Sequence, residues 1–146
     1  RRVAAEDFFL SLYETAAEQN ELLTEIRYPK APRGQGWSFQ ETSTRQGDFA
    51  LAGVAATVDA ANGACTGARV VAVGIGEHAT RLHAAEDAVA GGEINETSLE
   101  AAGAAARAVV DPPSDYHADA EYRRDLVHAL TKRALAEAHG RAGSGG

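Results

Sequence analysis

Methionine is absent from these 146 residues, and cysteine and tryptophan occur once each. Cys65 has no partner for an internal disulfide, and one thiol cannot hold an iron–sulfur cluster. Aromatic residues are scarce at 6%, while alanine and glycine abound, so the core must be tight and built of small side chains. Basic residues are also in the minority. The 14 Lys and Arg are scattered against 21 Asp and Glu, for a formal charge of −7. Phosphate neutralisation needs a basic face, so nucleic acid is excluded as a partner. No apolar run reaches the roughly 18 residues that span a bilayer, so the chain is not expected to be transmembrane. Arg1-Arg2 is followed within a few positions by acidic residues, unlike a signal peptide, and the expected location is cytoplasmic. A chain without methionine, even at its first position, reads as a fragment or a trimmed subunit.

The length suits one domain, expected over residues 1–139, with a flexible tail at 140–146. Ala5 to Leu12 carries Phe8, Phe9 and Leu12 at helical spacing and predicts a short helix. Leu22 to Tyr28 alternates as a strand does and is stopped by Pro29. Lys30 to Gly36 reads as a loop. Trp37 to Thr44 alternates again, setting Trp37, Phe39 and Glu41 opposite Ser38, Gln40 and Thr42. Phe49 to Ala60 and Ala64 to Gly74 predict two more strands, joined by Asn62-Gly63, a strong hairpin signal. After Gly76 the period becomes helical. Ala84 to Ala90 predicts a short helix, and Thr97-Ser-Leu-Glu100 a capping box opening the next. Asp111-Pro112-Pro113 ends that helix. Ala118 to Ala138 predicts the longest one, with Tyr122, Leu126, Ala129, Leu130, Arg133 and Ala134 along one stripe. Strands first and helices afterwards imply an α+β fold: an antiparallel sheet of three or four strands packed on about three helices.

Few motifs carry chemistry. Val73-Gly-Ile-Gly-Glu-His-Ala79 imitates a dinucleotide fingerprint, but no helix opens at its glycines and no parallel strand follows. The five histidines lack metal-ligand spacing. Glu86-Asp87 reads as a solvated acidic pair. Arg123 and Arg124 fit a structural role, fastening the last helix to the preceding loop, with Asp119 or the Asp115 loop as partners. The segment Arg45-Gln-Gly-Asp48-Phe49 has two readings of equal weight. It is either an ordinary connection, turned by Gly47 and held by an Asp48 bond, or a turn that presents an aromatic side chain to a flat ring.

An ordered set of short pieces tips this balance: Phe8-Phe9, Tyr13-x-Thr15, Glu21-Leu-Leu-Thr-x-Ile-x-Tyr-Pro29, Gly47-Asp-Phe-Ala50, Arg81 with Ala85-Glu86, Asp111-Pro112 and Tyr122-Arg-Arg124. Together they cover nearly the whole chain. The sequence resembles the C-terminal domain of the FAD-carrying medium subunit of molybdenum hydroxylases, of the carbon monoxide dehydrogenase and xanthine dehydrogenase type. The resemblance implies an α+β domain that closes over the isoalloxazine of FAD, a cofactor shared with an N-terminal FAD-binding domain not seen in this sequence. Phe49 would lie against the flavin, with Asp48 and Arg45 in the same turn. Glu41 stands where carbon monoxide dehydrogenase-like members have a lysine, so the lysine's role is not carried over. The implied partners are the N-terminal domain, a molybdopterin large subunit and a small subunit with [2Fe–2S] clusters. Molybdenum, iron and the oxidised substrate would all belong to those partners. The competing reading is an assembly module with no cofactor contact of its own.

Overall fold

The computed structural model describes residues 1–142, and these form two compact units, Arg1–Ala31 and Pro32 onward, rather than one domain. In the first unit, helix α1 (Ala5–Phe8) lasts only four residues, not the eight the spacing suggested. It has no side-chain N-cap, and so short a helix has little to sustain it. The chain then runs as strand β1 (Phe9–Ser11), reverses at Tyr13 with a left-handed φ of 66°, and pairs back as β2 (Glu14–Thr15). The Phe8 and Phe9 rings meet edge to face at 5.2 Å. Arg1 clasps Glu21 through two 2.7 Å hydrogen bonds.

The strand expected at Leu22–Tyr28 is not one. This segment has no ladder partner among the described residues, and Leu22, Leu23, Ile26 and Tyr28 are exposed. Alternation gives a segment two faces, but a strand also needs a neighbour for its backbone groups.

The second unit holds the core. Strands β3 (Gly36–Ser43), β4 (Ala50–Ala61), β5 (Ala64–Val73) and β6 (Thr80–Arg81) form an antiparallel sheet in sequence order. Asn62 and Gly63 both take left-handed φ angles, 52° and 81°, as a two-residue hairpin turn requires. Helices α2 (His83–Asp87), α3 (Glu96–Val109) and α4 (Ala120–Arg141) follow. Helix α4 packs on β3 and β4, α3 on α4 and α2, and α2 on β5. The α+β architecture agrees with the sequence reading.

Small side chains let the layers approach closely. Ala52, Ala56, Ala72, Ala102, Ala106, Ala134 and Ala138 are all buried. Gly36 sits so close to the end of α4 that a Cβ there would overlap the Ala138 carbonyl oxygen. The sheet's inner face is not purely apolar. Ser38 and Gln40 point toward α4, each donating a 2.5 Å hydrogen bond to Glu137. Trp37 and Phe39 are therefore on the opposite face, 62% and 50% exposed.

Three helical details differ from expectation. The capping box is built from Asn95 and Ser98, two residues before Thr97. Asn95 is the better cap because its short carboxamide oxygen reaches forward to accept from the Ser98 amide, while the Ser98 hydroxyl accepts from the Asn95 amide. The buried face of α4 runs through Arg123, Val127, Leu130, Thr131, Ala134, Leu135 and Ala138. Tyr122 and Arg133 of the expected stripe are exposed. Helix α4 has neighbours on two sides, so its buried surface is too broad for a single apolar stripe. The expected tail is helical through Arg141, which donates to Glu137 and to the Trp37 carbonyl and lies 4.6 Å over the Trp37 ring. Residues 143–146 of that tail lie outside the described residues.

Candidate functional site

The turn between β3 and β4 is anchored at both ends. Ser43 pairs with Ala50 but Thr42 with Ala52, so Leu51 is an extra, bulged residue. Inside the turn the Arg45 carbonyl accepts from the Asp48 amide at 3.1 Å and from the Ser43 hydroxyl at 2.8 Å. Gly47 supplies the left-handed φ of 83° that reverses the chain. The Asp48 carboxylate accepts from the next amide, that of Phe49, at 2.9 Å. Phe49 does not begin β4, as expected, but precedes it, and it is 95% exposed. An aromatic ring held this far into water by an ordered turn has no packing role in this unit.

The other expected site residues are placed differently. The side chains of Asp48 and Arg45 are exposed in the same turn as Phe49. Glu41 lies out on β3, opposite Gly53, exposed on the face that also carries Trp37 and Phe39.

Beneath the turn lies Arg123, which is 5% exposed. Its Nη1 donates to the Leu51 carbonyl at 2.5 Å and to the Gly74 carbonyl at 3.1 Å, and its Nη2 donates to Asp115 at 2.7 Å. Asp115 also accepts from the amides of His117 and Ala118. The Arg123 bond, followed by these two, lowers its pKa to about 2. Arg124 donates to the Val110 carbonyl and to Asp111. Both arginines thus fasten the last helix to the preceding loop. The Asp119 carboxylate does not pair with the Arg123 guanidinium, although the Asp119 carbonyl accepts from the Arg123 amide at 3.1 Å. The carboxylate caps α4 by accepting from the Tyr122 amide at 2.7 Å.

Glu86 is a clear departure. Expected to be solvated, it is 8% exposed and reaches into the sheet. Its carboxylate accepts from the Val70 amide at 2.9 Å and from the Arg81 fork at 2.9 and 3.0 Å, with His83 at 3.4 Å. Burial works to raise its pKa, but the Arg81 and Val70 hydrogen bonds outweigh it and hold the carboxyl below the ordinary glutamate range. The sequence signal was an arginine five residues ahead, ending a strand that faces the helix.

Among the described residues the turn presents an exposed aromatic ring, and the glycine-rich segment forms no phosphate cradle. Gly74 and Gly76 open no helix, since α2 begins only at His83. The N-termini of α3 and α4 are already capped by Asn95, by Asp119 and by Ser114, which accepts from the Ala120 amide. Free helix amides are what bind a pyrophosphate, and these caps occupy part of each first turn. Two shallow hollows, of about 480 and 520 Å³, lie elsewhere, against Arg33 and Asp59 and along α3. No group of three or more His, Cys, Asp or Glu among the described residues is arranged to hold a metal ion. Burial raises the pKa of the Cys65 thiol, which keeps it unreactive.

Residues 37–138 match the family described as CO dehydrogenase flavoprotein C-terminal domain. The carbon monoxide dehydrogenase medium chain of Hydrogenophaga pseudoflava is 31% identical over 92% of this chain and 47% of that protein. The nicotine 6-hydroxylase medium subunit of Paenarthrobacter nicotinovorans is 33% identical over 97% of this chain and 49% of that protein. Among solved structures, reconstituted CO dehydrogenase from Oligotropha carboxidovorans superposes with a TM-score of 0.92 at 32% identity, over 97% of this chain and 50% of that one. Quinoline 2-oxidoreductase from Pseudomonas putida 86 superposes with a TM-score of 0.86 at 32% identity, over 96% of this chain and 48% of that one. The chain thus spans about half the length of the relatives it matches. On the family match, the sequence identity and the superposition together, this chain belongs to the CO dehydrogenase flavoprotein C-terminal domain family.

Proposed function

We propose that this chain forms one wall of a flavin site in a multi-subunit molybdenum hydroxylase, with Phe49 lying against the isoalloxazine of FAD. The observation that carries this reading is Phe49 itself, 95% exposed on a turn whose backbone is fixed by Ser43, Gly47 and Asp48. When bound, FAD accepts electrons from iron–sulfur clusters and hands them to an acceptor. The part of this chain is positional. Phe49 contributes a flat apolar surface, and its neighbours exclude water from one side of the ring. Asp48 is occupied by the Phe49 amide, so it orders the turn as well as placing a negative charge nearby. Glu41 does not replace a lysine's charge and is not assigned to the flavin.

The pyrophosphate would be held by an N-terminal FAD-binding domain. The large molybdopterin subunit and the small iron–sulfur subunit complete the proposed assembly, in the cytoplasm. The match to a carbon monoxide dehydrogenase medium chain and to a nicotine 6-hydroxylase medium subunit supports that setting. Substrate choice belongs to the molybdenum subunit, so carbon monoxide, purine and aldehyde oxidation are equally compatible with this domain.

The test is Phe49→Ala in the subunit reconstituted with its FAD-binding half. An aromatic contact contributes about 0.5–1.5 kcal/mol beyond burial, so flavin affinity should fall roughly 2- to 12-fold. The flavin absorption band should shift, with no change in thermal stability. The exposed Trp37 and Phe39 favour a second reading, in which the domain only assembles subunits. An assembly-only domain predicts no quenching of flavin fluorescence, alone or with the FAD-binding half added.

A further inference from the structure

The residue that fixes where Phe49 stands is not in the turn. Leu51 is the bulged residue of β4, and it lies beyond Gly53↔Val73, the last pair of the β4–β5 ladder. A bulge leaves backbone groups without ladder partners, and a buried carbonyl must find a donor elsewhere. The Leu51 carbonyl finds Nη1 of Arg123 at 2.5 Å, across 72 residues of sequence. The same nitrogen reaches the Gly74 carbonyl, just past the end of β5. There the strands are in tight contact: a Cβ on Gly74 would lie 2.7 Å from the Ala50 carbonyl oxygen. The guanidinium thus bridges the first residues of β4 and the exit of β5, two residues from Phe49 in sequence.

We infer that Arg123 is a positioning residue for the Asp48–Phe49 turn: its planar fork, oriented by Asp115, sets the bulge at Leu51 and with it the direction in which Phe49 leaves the sheet. This inference rests on the reading that Phe49 faces the flavin only for its consequence, not for its geometry. Arg123 leaves its Nε buried and without a hydrogen bond, while both Nη groups are committed to the two strand ends and to Asp115. Leaving a buried donor unpaired is costly. The arrangement keeps that cost in order to place Nη1 between two carbonyls. Lysine has three donors but no fixed planar fork, so it would not hold the two carbonyls and Asp115 in the same geometry. Asp115 holds the far side of the guanidinium and is itself held by the amides of His117 and Ala118. The loop before α4 is thereby tied to the turn through a single side chain.

The experiment uses the 146-residue chain and the subunit reconstituted with its FAD-binding half. The variants are Arg123→Lys, Asp115→Asn and Phe49→Ala. In the chain alone, Arg123→Lys should move the backbone NMR signals of residues 45–52 and speed amide exchange at 50–52 by about tenfold or more. Signals of α3 should stay in place. Asp115→Asn keeps the arginine and should give a smaller shift at the same residues with little change in melting temperature, so it decides the question if Arg123→Lys folds poorly. In the reconstituted subunit both should move the flavin absorption band in the same sense as Phe49→Ala. Unchanged signals at 45–52 in folded Arg123→Lys or Asp115→Asn would overturn the inference. If those signals move but Phe49→Ala leaves the flavin band untouched, the positioning role stands and the flavin reading falls.

Discussion

Replacing Glu86 by alanine should be among the most damaging single changes on this chain, although the residue sits on a five-residue helix beside an exposed aspartate. The magnitude follows from its partners. The Val70 amide is buried and in the middle of the sheet, and its bond to Glu86 is a buried hydrogen bond to a charged group. Such a bond contributes about 1.5–3 kcal/mol, and the orphaned amide keeps its full desolvation cost. The Arg81 side chain is 39% exposed, so water can replace the carboxylate there, and that pair adds little, about 0–1 kcal/mol. The expected loss for Glu86→Ala is therefore about 2–4 kcal/mol. Glu86→Gln retains an acceptor for Val70 and should lose about half as much. Arg81→Ala should cost no more than about 1 kcal/mol. Urea unfolding of the three variants at neutral pH, followed by circular dichroism, measures all of this. Equal losses for Arg81→Ala and Glu86→Ala would refute the reasoning, because the ion pair would then outweigh the backbone bond. A loss under 0.5 kcal/mol for Glu86→Ala, about the scatter of an ordinary surface change, would refute it too.

Gly36→Ala should destabilise by about 1–3 kcal/mol or more, because its Cβ meets the rigid Ala138 backbone and not a movable side chain; thermal melts read this directly. Acid should unfold the chain below the ordinary carboxylate range. Glu86 and Asp115 have lowered folded pKa values, so their contribution is complete above their unfolded pKa values and is lost as pH falls through the folded ones, near about 2 for Asp115. A pH titration by circular dichroism that shows loss of structure at pH 5–6 would contradict this. The isolated chain should purify colourless, since its one glycine-rich look-alike at Gly74–Gly76 opens no helix among the described residues; a stoichiometric yellow protein that survives gel filtration would place the FAD site within it.

Where periodicity and chemistry agree, the sequence was sufficient. The hairpin at Asn62-Gly63 and the strand at Trp37 were read correctly because turn residues and alternation both act locally. The Leu22–Tyr28 segment shows the limit. Its alternation is as regular as that of β3, yet pairing depends on a neighbour, and local pattern says nothing of that. Trp37 and Phe39 show another: their period was correct, but which face turns inward was decided by Glu137, 97 to 99 residues away, drawing Ser38 and Gln40 beneath α4. The site was legible at the same level. Gly47-Asp48-Phe49 could be recognised as a turn bearing an aromatic. The bulge at Leu51 and its arginine could not, because a bulge is a mismatch between two strands and leaves no mark in either one. Glu86 was misread for a related reason. Adjacent carboxylates on a helix do point in different directions, and one of those directions was the sheet.

These two buried charges also bear on how the unit is held together. A core dominated by alanine and valine buries less apolar area per residue than one of leucine and phenylalanine, at about 25 cal/mol per Å². Individual polar clamps then form a larger share of the total. Glu86 and Arg123 clamp different seams: Glu86 ties α2 to the middle of β5 and to β6, while Arg123 ties α4 and its preceding loop to the ends of β4 and β5. They share no hydrogen-bond partner. Changes at independent sites add to within about 0.3–0.5 kcal/mol, whereas members of one network couple by about 0.5–3 kcal/mol. The double variant Glu86→Gln with Arg123→Lys should therefore lose the sum of the two single losses in urea unfolding, with the same slope. A coupling above 1 kcal/mol would mean that β5, which Glu86 touches at Val70 and Arg123 just past its exit at Gly74, transmits strain between them. The Phe49 turn would then depend on the α2 seam as well, and Glu86→Gln alone should move the signals of residues 45–52. Additivity with those signals unmoved is the outcome that keeps the two clamps separate.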